Sequence, residues 1–164
     1  MTAEQSGGWD PLYGAQLLVV DDYVLFREHL VGTLGKRGAE ARVAYDVPSL
    51  VAALRGSMVD IVLLNMGAKD SEALLDAVVQ VSPTTKVIAI GLSEDDEARI
   101  VACAEAGVSG YHLRAESLAD LLRIVELVAD GGTSCSPQIA TILMRRLSAL
   151  SGRRAPASRG LGRV

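Results

Sequence analysis

Two adjacent carboxylates, Asp21 and Asp22, follow directly on the apolar run Leu17-Leu18-Val19-Val20. A side-by-side acidic pair at a strand end suits a hard divalent cation, which prefers carboxylate oxygens. A second run, Ile61-Val62-Leu63-Leu64, ends in one polar side chain, Asn65, and two later runs end near Gly91 and at Arg114. In an open parallel α/β sheet the loops leaving the C-terminal strand ends line a crevice, so these four ends are expected to share one pocket. That pocket would gather two acids, a carboxamide, a glycine and a guanidinium. A neutral amide is a poor nucleophile, and no general base or third carboxylate at a strand end accompanies the pair. The set therefore argues against a metal-dependent hydrolase or any other enzyme.

The elements that position these residues are legible from hydropathy. Residues 61–64 and 87–90 are continuously aliphatic, as strands buried on both faces require. A first strand over 16–21, a short one over 41–45 and a last one over 110–113 complete a set of five. Helices are expected between them. The first spans 24–37, with Phe26, Leu30 and Leu34 on one face and Gly38 as its stop, and the second spans 48–55, capped by Asp46 with Pro48 in its first turn. The third begins at Asp70 or Ser71 and ends near Ser82-Pro83. The fourth is capped by Ser93 ahead of the acidic run Glu94-Asp95-Asp96-Glu97 and closed by Gly107. The fifth, 118–130, is capped by Ser117 with Asp120. Five strands alternating with helices predict an α/β fold, a doubly wound (βα)5 five-stranded parallel sheet with right-handed crossovers.

Three stretches then carry a resemblance. Leu17-Leu18-Val19-Val20-Asp21-Asp22, Asp60-Ile61-Val62-Leu63-Leu64-Asn65 and Ala106-Gly107-Val108-Ser109-Gly110-Tyr111 look like the receiver domain of two-component response regulators. Asp22-Tyr23-Val24-Leu25-Phe26-Arg27-Glu28 and Gly110-Tyr111-His112-Leu113-Arg114 are most similar to the NarL/LuxR-type subfamily. The resemblance implies the flavodoxin-like receiver fold over residues 15–131, preceded by a leader (1–14) that is loose or only partly docked. It also implies a linker helix within 132–150, beginning at Pro137. Residues 151–164 are poor in hydrophobics and read as a disordered basic tail. The DNA-binding helix-turn-helix of this subfamily is absent from the chain, which reads either as a piece of a longer regulator or as a protein without its output half.

The resemblance also assigns the pocket, and the sequence departs from it. Receivers take phosphate onto an aspartate at the end of the third strand, with magnesium held by that aspartate and the acidic pair. Asn65 stands at that position. The hydroxyl residue expected at the end of the fourth strand is Gly91, the lysine expected at the end of the fifth is Arg114, and the methionine-proline pair after the phosphoacceptor is replaced by Met66-Gly67. Asp21, Asp22 and the switch aromatic Tyr111 remain. A single Asp-to-Asn change would suit a laboratory substitution, whereas four departures together indicate an atypical receiver that is naturally unphosphorylated, with no metal and no cofactor. Arg114 is expected either to pair with Asp21 or Asp22 in place of magnesium or to point into water. Tyr111 is expected either to hold one rotamer, given the room beside Gly91, or to be an ordinary half-buried strand tyrosine.

Composition bounds the rest. The chain has 164 residues, 49% of them hydrophobic but only 4% aromatic, so its core must be aliphatic. Residues 131–164 hold six arginines and no acid, while the first 130 carry 10 basic against 20 acidic side chains, which separates an acidic body from a basic end. Those arginines come without aromatics or a recognition helix and read as a solvated linker; DNA contact would belong to the absent domain. Cys103 and Cys135 lack zinc or disulfide spacing. No run reaches a membrane span of roughly 18 apolar residues and no signal peptide opens the chain, so no membrane contact and a cytoplasmic location are expected. The fifth helix is apolar over more than one stripe, which suggests a homodimer through Leu121, Ile124, Val125 and Val128. A small-molecule ligand in or near the degenerate pocket is the other partner expectation.

Overall fold

The computed structural model describes residues 10–163. Five strands, β1 (Gln16–Val20), β2 (Glu40–Ala44), β3 (Ile61–Asn65), β4 (Lys86–Leu92) and β5 (Gly110–Leu113), form one parallel sheet in the order β2-β1-β3-β4-β5. The helices are α1 (Val24–Lys36), α2 (Val47–Gly56), α3 (Ser71–Val81), α4 (Glu97–Glu105), α5 (Leu118–Ala129) and α6 (Pro137–Arg163). The order reverses between β1 and β3, so the loops after these strands part there and leave a crevice at the carboxyl edge.

Strand alternation divides the core in two. Leu17, Val19, Ile61, Leu63, Ile88 and Ile90 face α1 and α5; Leu18, Val20, Val62, Leu64, Val87 and Ala89 face α2, α3 and α4. Residues 61–64 are each at most 1% exposed. Burying an aliphatic side chain this completely contributes about 1.5–3 kcal/mol, and β3 does so on both faces. Gly110 lets α5 approach the sheet, since a Cβ there would lie 2.7 Å from Ile124 Cγ2 and 3.1 Å from Ile88 Cγ1.

Three sequence readings need correction. The first concerns α5. Leu121, Ile124, Val125 and Val128 are all buried, at 1%, 7%, 0% and 0% exposure, in the layer shared with β1, β3, β4 and α1. Their i, i+3, i+4, i+7 spacing is the core-facing stripe, so none of the four is free to form a dimer face; the exposed large apolar side chain of this helix is Leu127. The second concerns α4, whose N-cap is Asp96, accepting from the Arg99 amide, and not Ser93. Strand β4 runs on through Gly91 to Leu92, so the helix starts later. The third concerns the C-terminal helix, which passes the expected end at Leu150 and continues through the basic segment to Arg163. Extending an existing helix needs only one hydrogen bond per residue fixed, without a new nucleus.

The last part of the leader is docked. Leu12 is fully buried in the α1–α5 layer, and Arg37 grips Asp10 through Nε–Oδ2 at 2.6 Å and Nη2–Oδ1 at 3.0 Å while also reaching Glu126. Trp9 and the residues before it lie outside the described residues.

Candidate functional site

The carboxyl edge brings Asp21, Asp22 and Asn65 together, with Gly91 against them. Asp21 is 1% exposed, because β1 is a central strand and its end lies beneath the loops. Its carboxylate accepts from the Tyr23 amide at 2.9 Å and from Asn65 Nδ2 at 2.8 Å, and its backbone carbonyl accepts from Arg27 Nη1 at 2.8 Å. Asn65 turns its other atom the opposite way, Oδ1 accepting from the Gly67 amide at 2.8 Å. The carboxamide therefore bridges β1 and the β3–α3 loop, a donor on one side and an acceptor on the other. A carboxylate could not make this pair of bonds without a proton or a cation between it and Asp21.

Gly91 belongs to the same arrangement. Its φ of +72° is in the left-handed region, and a Cβ would fall 2.7 Å from Asn65 Oδ1. The room expected beside Gly91, for a ligand or for a settled Tyr111, is thus filled by the carboxamide. Asp22 is exposed, and its Oδ2 accepts from the Lys69 amide at 3.0 Å, tying the acidic pair to the loop. A magnesium ion, which the fold family implies, does not fit this set: the N–H of Asn65 is aimed at the oxygen a cation would bind, and one of the three expected carboxylates is an amide.

Arg114 does not join the site. Among the described residues it makes no ion pair with Asp21 or Asp22; it is exposed beside Leu92, Ser93, Glu94 and Asp95. The physical reason is distance. Strand β5 lies three strand spacings from β1, about 14 Å, and the Asp21 carboxylate is already enclosed and holds two hydrogen bonds. Tyr111, by contrast, is 7% exposed and packs in the layer of Ile100, Cys103, Val108, Ile139 and Ile142. Burial pushes its phenol up to about 12. Beside it lie residues 134–136, just before α6, and not space at Gly91.

The sequence does not single out one further group. Arg99 reaches from α4 to the loop after Asn65, Nη1 donating to the Met66 carbonyl at 2.5 Å, with Nε 3.5 Å from Asp96 Oδ2. The Met66 amide in turn donates to the Ile90 carbonyl at 2.8 Å. The start of α4, the end of β4 and the phosphoacceptor-position loop are thereby joined. The i, i+3 spacing of Asp96 and Arg99 is the available signal, and by itself it reads as helix-start chemistry alone.

Comparison with known proteins agrees with this geometry. The family model described as the response regulator receiver domain matches residues 17–126. The transcriptional regulatory protein DegU of Brevibacillus brevis is 27% identical over 135 residues, 79% of this chain and 56% of that protein, so the chain spans a little over half the length of this curated relative. A LuxR-family two-component response regulator from Aurantimonas sp. SI85-9A1 superposes with a TM-score of 0.70 at 23% identity, covering 82% of this chain and 99% of the other. The receiver domain of NtrX from Brucella abortus gives 0.62 at 27% identity, covering 70% and 98%. With the topology, the acidic pair and the family match in hand, the chain belongs to the response regulator receiver domain family.

Proposed function

We propose that this receiver works without phosphorylation, as the signalling and dimerisation part of a NarL/LuxR-type transcription regulator acting in the cytoplasm. The observation that carries the reading is the Asn65 carboxamide, which occupies the phosphoacceptor position while donating to Asp21 and accepting from Gly67. Attack on phosphorus needs an ionisable oxygen, and charge balance needs a cation; this side chain supplies neither requirement and fills the place of both. Gly91 provides no hydroxyl to meet a phosphoryl group, and Arg114 stands away at the rim. Similarity to DegU and to the LuxR-family regulator supports the transcriptional role, with DNA contacted through a helix-turn-helix beyond the residues described. No helix among the described residues is long and apolar enough to cross a membrane.

The role so described is non-enzymatic. Pairing of two copies belongs to it, through surfaces other than the buried stripe of α5. Control by a small molecule is disfavoured at Gly91, where the carboxamide takes the room a ligand would need. Thermal melting with and without millimolar magnesium tests the pocket: a ligand of the folded state must raise stability, so the melting temperature is expected to stay unchanged. A magnesium-dependent rise would contradict the reading.

A further inference from the structure

The face made by α4 and β5 is closed by the chain itself. After Gly131, at φ +93°, and Gly132, the chain turns back along the edge of the sheet. Ser134 forms a parallel bridge with Gly110: its amide donates to the Ser109 carbonyl at 2.9 Å, and its carbonyl accepts from the Tyr111 amide at 3.0 Å. The exposed edge of β5 is thus paired along this short strap. Immediately afterwards Ser136 Oγ accepts from the Ile139 amide, and α6 places Ile139 and Ile142, 0% and 5% exposed, in the layer of Ile100, Cys103, Val108 and Tyr111. Arg145 reaches Glu97 of α4 at 3.4 Å.

The anchoring stops abruptly. From Met144 to Gly152 every residue is exposed, including Met144 at 65% and Leu147 at 59%. Two isoleucines, a partly buried Leu143, two strap hydrogen bonds and one solvent-exposed ion pair hold the element, where a stripe of four buried side chains fixes α5. An exposed pair of this kind adds little. The hinge is a glycine pair, the strap is short, and everything that leaves the body does so along α6.

We propose that residues 133–143 form a latch, a docking surface on α4–β5 whose occupant is the chain's own strap and first turns of α6, and that the latch opens as one cooperative unit apart from the rest of the fold. Closed, it keeps Tyr111 buried and fixes the direction of α6. Open, it frees both together. This goes beyond the pocket reading and does not rest on it, since the strap pairs with the outer edge of β5 and α6 packs against α4, neither through the hydrogen bonds of Asn65.

Hydrogen exchange on the full chain tests the unit. The amides of Tyr111 and Ser134 are expected to exchange together with those of the first turns of α6, and faster than those of β3. Exchange of all of them only at the rate of β3, or fraying of α6 with the strap still protected, would overturn the proposal. A double variant, Ile139→Ser with Ile142→Ser, should speed strap and helix exchange by about tenfold or more, each buried aliphatic being worth at least that in an equilibrium constant, while β3 amides and the far-ultraviolet signal hold. In the same variant the tyrosine titration should change. In the wild type the Tyr111 phenol should titrate high, near 12, whereas in the variant that high component should be lost. A folded variant that keeps Tyr111 high would overturn the proposal; if the variant does not fold, the wild-type exchange pattern still decides.

Discussion

At the residue scale the pocket turns on one pair of atoms. The side chain of Asn65 differs from aspartate by one NH2 group, yet that group is what donates to Asp21 at 2.8 Å. Replacing it, Asn65→Asp, sets two carboxylates against each other, one of them buried, where like charge raises the cost of ionising either. The variant is expected to lose on the order of 1–3 kcal/mol of stability at neutral pH, measured by urea denaturation, and to regain part of it on adding magnesium. Equal stability without the metal would show that the amide bond to Asp21 contributes nothing. The identity of these residues is legible in the sequence because strand ends are marked by the last apolar residue. What they do to each other is not, because a carboxamide can turn either way and only the neighbouring amide of Gly67 fixes which atom faces Asp21. Arg114 illustrates the converse: its charge suggests a partner, and strand spacing denies it one.

At the scale of elements, burial decides what pattern alone leaves open. Strand β3 is legible almost to the residue and β4 in its aliphatic middle, since a continuous aliphatic run between polar ends, too short for a helix, points to a strand buried on both faces in a chain of this class. Helix α5 is equally legible, but its overall apolarity points to a partner while the spacing of Leu121, Ile124, Val125 and Val128 describes a single side. With Leu127 and two more leucines apolar as well, periodicity does not say which stripe meets the sheet. Leu121→Ala is expected to cost about 2–5 kcal/mol in urea denaturation, as a cavity in a packed layer does, with no change in assembly by size-exclusion chromatography at matched concentration beyond what unfolding causes. Dissociation of a dimer in a variant of unaltered stability would restore the interface reading. Start signals are harder. Ser93 and Asp96 are both good caps, and the choice falls to Asp96 because β4 continues through a left-handed glycine before the helix begins.

At the scale of the whole molecule, long-range ties join regions that local sequence keeps apart. Arg37, just past the end of α1, binds Asp10 of the leader and Glu126 of α5. Nothing local predicts bonds across 27 and 89 residues, which is why the sequence leaves open whether the leader is loose or partly docked. The Arg37 hydrogen bond holds the Asp10 carboxyl below its ordinary value. A depressed folded pKa contributes stability that is present above the unfolded value of about 3.9 and lost as pH falls through the lower folded one. The stability gap between wild type and Arg37→Ala is therefore expected to be constant near neutrality and to shrink below about pH 4, followed by denaturant melts across that window. A gap that widened on acidification would contradict the assignment. The same scale holds the separation of an acidic body from a basic end, whose six arginines all lie on α6.

The central claim is that the phosphoacceptor position is chemically closed, and intact mass measurement after incubation with acetyl phosphate and magnesium tests it most directly. The mass is expected to stay unchanged under conditions that phosphorylate an ordinary receiver run alongside. A gain of one phosphoryl group, mapped to the pocket, would contradict the claim.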